Sequence, residues 1–184
     1  MLQRILNDFT ISFCLIVSIF IINITSVTAA ILTVDTLADE EADNGKCSLR
    51  EAITNVNGGD QSGSTDCPAG DPSAADTISF SVTGTITLVA MLPAVTQDLT
   101  IVGPGAASLI ISGNTANRVL RISSGVNAVV QNLTIADGLV TGTGGGGIYN
   151  QGNLTVANCV MINNKDSGAS GAGGAIFNDG GIVP

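Results

Sequence analysis

The sequence predicts an all-β protein, a solenoid of stacked short strands with one short helix at its N-terminal end, and three observations carry that expectation. A strand phrase recurs, as Asp98-Leu99-Thr100-Ile101, Asn132-Leu133-Thr134-Ile135 and Asn153-Leu154-Thr155-Val156. In each copy leucine and the β-branched residue two places on share one face while threonine takes the other, the period-2 signature of a half-buried strand. Glycine and asparagine clusters separate the copies, so no long helix intervenes to cover the sheets. A second phrase, Gly145-Gly146-Gly147-Ile148-Tyr149-Asn150, returns as Gly173-Gly174-Ala175-Ile176-Phe177-Asn178, with Ile148 and Ile176 28 residues apart. Short strands with one apolar face bury it by stacking copy on copy, which is the logic of a repeat solenoid.

Composition narrows the function classes. The 184 residues suffice for one domain of moderate size and include neither tryptophan nor histidine. Rows of Leu, Ile and Val must therefore supply the burial, about 1.5 to 3 kcal/mol for each fully enclosed side chain. Six basic residues stand against fifteen acidic ones, which disfavours a phosphate backbone and hence nucleic acid as a partner. Ten of the fifteen acids fall between Asp35 and Asp76, so the charge belongs to the N-terminal segment.

Residues 1–29 read as a signal peptide. Arg4 opens the segment, an apolar run from Phe9 to Ile24 follows, and Ser26-Val27-Thr28-Ala29 offers small residues for cleavage after Ala29. The run is short for a membrane span and carries Thr10, Ser12, Ser18 and Asn23, so secretion is preferred over an uncleaved anchor. Cys14 follows Phe13, a poor match to a lipoprotein cleavage site, and no lipidation is expected. Cleavage leaves Cys47, Cys67 and Cys159 in an oxidising compartment. Cys47 and Cys67 enclose a Gly-, Asp- and Ser-rich loop with no core of its own, where a disulfide would contribute about 3 kcal/mol. Cys159 is then free and packs as a small apolar residue.

Residues 30–76 read as an N-terminal cap. Ser48 caps a helix and Glu51 reaches back to its amide in a capping box. Leu49, Ala52, Ile53 and Val56 follow at helical spacing, and Gly58-Gly59 stops the helix. An amphipathic helix here would cover the first open end of a solenoid with its apolar face.

The same stretch, Cys47-Ser48-Leu49-Arg50-Glu51-Ala52-Ile53, resembles the motif that names the CSLREA-type N-terminal region of bacterial secreted proteins, which precedes a right-handed parallel β-helix. Asp76-Thr77-Ile78-Ser79-Phe80, Gly84-Thr85-Ile86-Thr87-Leu88, Leu92-Pro93 and the run from Asp98 to Ala106 are similar to that family as well. The resemblance implies a right-handed parallel β-helix, an exported or cell-surface location on a bacterium, and association with very large surface proteins. It implies no single enzymatic activity.

Residues 77–184 are then read as coils. Ile78 and Phe80, Ile86 and Leu88, Leu99 and Ile101, Leu109 and Ile111, Leu120 and Ile122, Val129, Leu133 and Ile135 form the expected inward set. Turns are marked by Gly103-Pro104-Gly105, Gly113-Asn114, Ser124-Gly125 and Asp137-Gly138. A β-sandwich also has many short strands but no reason to repeat one phrase. Met161-Ile162-Asn163-Asn164 resembles the aromatic-x-x-Asn phrase that accompanies Gly-Gly-Ala-Ile in chlamydial polymorphic outer-membrane proteins, with Met161 in the aromatic position. One repeat per coil would stack Tyr149 on Phe177 and Asn150 on Asn178, the latter as an amide ladder. No lysine or strand-to-helix turn follows the glycines, which argues against a phosphate cradle. The sequence stops just after a repeat phrase, and the expectation is an N-terminal fragment of a longer surface protein with its anchor missing.

Chemistry is sparser. The preferred reading is a secreted or cell-surface scaffold, adhesin-like and non-catalytic in this segment, with an extracellular glycan or another cell surface as partner. The alternative is a polysaccharide lyase or glycoside hydrolase acting on acidic polysaccharide, since parallel β-helices include pectate lyases and polygalacturonases. Lyase chemistry needs a base, commonly arginine in that fold, and carboxylate-bound calcium. The weak catalytic candidates are Arg118, Arg121 and Asp137. The odd separation of the arginines predicts opposite faces of a strand, and Asp137 before Gly138 reads as a turn residue. Hydrolysis needs two cooperating carboxylates, and no close pair follows Asp76. Calcium is the one cofactor worth weighing: Asp39, Glu40, Glu41 and Asp43 cluster near Asn44-Gly45, but without EF-hand spacing, and a solvated acidic loop is the preferred reading. The Asn132-Leu-Thr and Asn153-Leu-Thr triplets fit a glycosylation acceptor but repeat with the strands and are read as structural.

Overall fold

The computed structural model describes residues 28–169 and 172–183. The expected signal segment, with Cys14, lies outside the described residues except for its last two positions. The described part begins with β1 (Ile31–Val34), passes through a helix, α1 (Leu49–Gly58), and then winds through β2 (Asp76–Phe80) and β3 (Gly84–Thr87). Next come β4 (Leu99–Val102), β5 (Leu109–Ser112) and β6 (Leu120–Ile122), then β7 (Asn127–Gln131), β8 (Thr134–Ala136), β9 (Leu139–Val140) and β10 (Ile148–Asn150). The last round holds β11 (Asn153–Ala157), β12 (Val160–Ile162), β13 (Lys165–Asp166) and β14 (Ile176–Asn178).

These strands form a stacked parallel β-solenoid of about four turns. One sheet runs β1-β2-β4-β7-β11, a second β3-β5-β8-β12, a third β6-β10-β14, and β9 pairs with β13. From β2 onward, neighbours in each sheet are one coil apart in sequence, as a winding chain requires, and every pairing among the described strands is parallel, which excludes the sandwich. Ile78, Ile101, Val130 and Val156 stand over one another, so successive coils take 23, 29 and 26 residues. After β14 the chain returns to the first sheet, where Ile182 bridges Asn153.

Inside the coils lies one apolar column that includes Ile78, Ile86, Leu99, Ile101, Leu109, Ile111, Leu120, Ile122 and Ile135, all fully buried. The helix continues it at the N-terminal end. Ser48 caps α1 with both bonds of the capping box, and Gly59 ends it at φ +64°, a left-handed conformation that suits glycine. Leu49, Ala52, Ile53 and Val56 are buried in the same cluster as Leu32, Val34 and Ile78, so the helix covers the first rung.

Two sequence expectations need correction. In β7 the inward residues are Ala128 and Val130, while Val129 is half-buried, because Leu99 and Ile101 pair with Ala128 and Val130. The recurring strand phrase also does not mark one structural position. Leu99 and Leu154 both align with Ala128 in the first sheet, whereas Leu133 enters the second through β8. Asn132 adopts φ +59° and turns the chain at that corner. Consequently Leu133, Thr134 and Ile135 are all buried, and Thr134 satisfies its hydroxyl by donating to the Ala106 carbonyl at 2.7 Å. Strand β1 escaped the sequence reading altogether, being four residues long and distant from its partner β2.

The second repeat phrase does mark one position. Ile148, Tyr149 and Asn150 pair in register with Ile176, Phe177 and Asn178. Tyr149 and Phe177 stack outside with ring centroids 5.8 Å apart. Inside, the fully buried Asn150 amide donates to Asn178 Oδ1 at 2.7 Å and to the Gly152 carbonyl at 3.0 Å, and its Oδ1 accepts from the Gly152 amide at 3.1 Å. Replacing it strands several polar groups away from water. Asn150→Ala is therefore expected to cost about 2 to 3 kcal/mol in urea unfolding, against about 1 kcal/mol or less for Asn178→Ala at the exposed rung. Equal costs at the two positions would contradict this account of the ladder.

Candidate functional site

The cap motif is spent on structure, residue by residue. Cys47 and Cys67 are joined by a disulfide with Cα atoms 4.9 Å apart. The Ser48 hydroxyl donates to the Glu40 carbonyl at 2.6 Å. The Glu51 carboxylate is buried and accepts from the amides of Ser48 and Ala42, at 2.8 and 2.7 Å. Arg50 forks onto Asp39, with Nε–Oδ1 and Nη2–Oδ2 both 2.8 Å, and donates further to the carbonyls of Ala90 and Met91. Asn55, a helix position that reads from sequence as merely polar, is fully buried. Its amide donates to the carbonyls of Ser64 and Pro68 and its oxygen accepts from Gly63 and Ser64, which folds the disulfide loop around it.

Of the acids weighed for calcium, Asp39 and Asp43 have separate partners. Asp39 is no solvated loop residue: its side chain is fully buried against Arg50, and it also accepts from the Val89 amide at 2.7 Å. Asp43 accepts from the Thr65 amide and from the Ser64 and Thr65 hydroxyls, and these bonds, the amide first, hold its carboxyl below the ordinary carboxylate range. Glu41 is exposed. Among the described residues no three acidic or cysteine side chains are grouped so as to hold a metal ion.

The arginines of the coils come together where the sequence placed them apart. Strand β6 begins only at Leu120, and Val119 and Leu120 are both buried, so strict alternation fails between Arg118 and Arg121. Both guanidinium groups consequently emerge on the outer face and converge on one ring. Their Cζ atoms lie 4.7 and 5.5 Å from the Tyr149 centroid, close enough for cation–π attraction. Arg118 donates from Nε to the Gly145 carbonyl at 3.0 Å and from Nη2 to the Gly144 carbonyl at 3.0 Å and the Thr143 hydroxyl at 2.7 Å. Burial, and next the charge of Arg121, hold Arg118 below the usual arginine value, against the pull of Tyr149 and Asp166. Arg121 is exposed and donates to Gln151 Oε1 at 3.3 Å.

Beside the two arginines opens a cleft of 150 Å³ whose other wall is Met91, Leu92 and Ala94. That wall is pinned from behind by the cap helix. Arg50 holds the carbonyls of Ala90 and Met91, and Asn57, two turns on, donates to the Ala94 carbonyl and accepts from the Thr96 amide, both at 2.8 Å. No sequence pattern linked Asn57 or Met91 to the arginines, because the loop joins them only after one full coil.

The remaining candidates lie elsewhere. Asp137 sits at a corner with φ +52° and accepts from Asn163 Nδ2 and the Ser112 hydroxyl, in keeping with a turn residue. The glycines of the second phrase permit close backbone approach: a Cβ on Gly146 would lie 2.5 Å from the Lys165 carbonyl oxygen, and one on Gly147 2.4 Å from that of Ala175. Cys159 is free and half-buried, its thiol directed at the carbonyls of Val130 and Ala157.

Tyr149 also donates its hydroxyl to Asp179, which in turn accepts from Gln151. That hydrogen bond, followed by desolvation and the Asp179 charge, raises the phenol above its ordinary value, against Arg121 and Arg118. Its contribution to stability is complete below about pH 10 and is lost as pH rises through the raised value. Tyr149 is the single tyrosine of the chain, so ultraviolet titration reads it directly. Asp179→Asn is expected to bring the titration down to or below the ordinary value; an unchanged curve would refute the contact. At the cap, Asp39→Asn leaves the Arg50 fork without its counter-charge and is expected to cost about 3 kcal/mol in denaturant unfolding. Set against models of known protein families, curated proteins and solved structures, the chain matches none.

Proposed function

We propose that the chain is a secreted or cell-surface scaffold of adhesin type, whose coils present an outer binding face and carry out no catalysis. The observation that carries this reading is the commitment of the reactive groups in the coils. Asp98 accepts from the amide and side chain of Asn127, Asp137 from Ser112 and Asn163, Asp166 from the amides of Gly142, Gly144 and Gly168, and Asp179 from Tyr149 and Gln151. Glycoside hydrolysis uses two cooperating carboxylates, and each of these is held by hydrogen bonds to its own neighbours. Arg118, the more buried arginine, spends its donors on two backbone carbonyls and a hydroxyl that fix a loop. The disulfide fits an oxidising compartment, and the signal-like N-terminus and the resemblance to CSLREA-type secreted proteins point the same way.

The rival reading, a lyase or hydrolase on acidic polysaccharide, is tested by turnover. The protein is incubated with a panel of acidic polysaccharides, with calcium and with chelator, and unsaturated products and new reducing ends are followed. No turnover is expected in either condition. Turnover that disappears in Arg118→Ala or Arg121→Ala would replace the scaffold reading with an enzyme.

A further inference from the structure

We propose that the cleft between Arg121 and the loop of Met91, Leu92 and Ala94 binds the carboxylate of an acidic sugar unit in an extracellular glycan, with Arg121 as the primary contact and Arg118 as its support. This rests on the reading of the chain as a binding scaffold and adds the site and the chemical class of its ligand.

Charge is the first ground. The described coils carry three cations, Arg118, Arg121 and Lys165, and two of them share one aromatic ring. Holding two guanidinium groups side by side is repulsive, and an anion between them relieves it. Among the described residues Arg121, which lines the cleft, makes no ion pair, and its hydrogen bond there runs from Nη2 to the neutral amide oxygen of Gln151, with no acceptor on Nε or Nη1. A guanidinium fork matches a carboxylate through two parallel bonds.

Shape is the second ground. The cleft is lined by Met91, Leu92 and Ala94 together with the segment from Arg118 to Arg121, a mixture of apolar and cationic residues suited to a ring with apolar C–H faces and one charged substituent. Its 150 Å³ admits one such ring, well below the volume of a typical drug-sized pocket. The apolar wall is held in place before any ligand arrives, by Arg50 and Asn57 of the cap helix, so little ordering is required on binding.

The neighbouring backbone argues against an acidic peptide. Extended peptides commonly bind by adding a strand to an open sheet edge. Here β6 is paired with β10 on one side and bridged through Ile122 to Val95 on the other, so the cleft offers side chains and little free main chain.

The test is isothermal titration of the protein with trigalacturonate, its fully methylated ester, and hexaglutamate. Trigalacturonate is expected to bind at one site, with the ester weaker by about tenfold or more, the loss that removal of a charged hydrogen bond implies. Arg121→Gln is expected to weaken trigalacturonate by a similar factor, with Arg121→Lys in between, and thermal melts confirm that these surface variants are folded. An ester that binds as well as the acid overturns the proposal, as does wild-type affinity in Arg121→Gln. Hexaglutamate binding of equal strength that depends on Arg121 overturns it in favour of an acidic peptide. Absence of binding by all three probes also overturns it, yet leaves the scaffold reading standing, because that reading fails only on turnover in the polysaccharide assay.

Discussion

Parallel strands stacked about 4.8 Å apart leave each coil resting on the one before it, and almost every other feature of this molecule follows from that contact. A side chain pointing inward is covered by its counterpart one coil on, so Ile78 is covered by Ile101 and Ile101 by Val130. The corners obey the same rule. Asn132 and Asn158 both take left-handed backbone and are linked by a side-chain hydrogen bond of 3.3 Å, and Asp137 and Asn163 repeat the arrangement at the next corner. Asparagine and aspartate tolerate that conformation better than other non-glycine residues, and stacking lets their polar tips satisfy one another. Where coils come closest, only glycine fits, as at Gly146 and Gly147.

A stack of this kind has ends, and the N-terminal one is closed by the segment between β1 and β2. Helix α1 supplies the lid. Its apolar stripe sits on the first rung, while Arg50 and Asn57 reach past the rung to grip residues 90–96. One short sequence motif therefore does two jobs: Cys47, Ser48, Leu49, Glu51 and Ala52 build the lid, and Arg50 fastens it to the coil wall that lines the arginine cleft.

The architecture was legible in the sequence because repetition is visible without knowing any contact. The pairing of Tyr149 with Phe177 and of Asn150 with Asn178 could be read from two matching phrases, and the helix from its cap and stripe. Phase within a coil was harder. The phrase around Leu133 looks like those around Leu99 and Leu154 but occupies another sheet, because coils of 23, 29 and 26 residues do not keep a fixed step. The cleft was least legible. Alternation placed Arg118 and Arg121 on opposite faces, and two consecutive buried residues, Val119 and Leu120, brought them to the same one. Asp39, in an acidic run, looked solvated, and its true partner Arg50 lies eleven residues on with nothing in the spacing to announce it.

The strands lie across the solenoid axis, and this gives the molecule a mechanical character. Each coil touches only its neighbours, so tension applied along the axis loads one coil boundary at a time instead of the whole core. A coil that peels away frees 23 to 29 residues, which extend to roughly 80 to 100 Å at the reach of a stretched chain. The disulfide loop lies at the N-terminal end, and the Arg50–Asp39 fork ties it there to the first coil at Val89, Ala90 and Met91. Such a rod yields in steps of one coil, dissipating a pull by lengthening while its first rung stays closed.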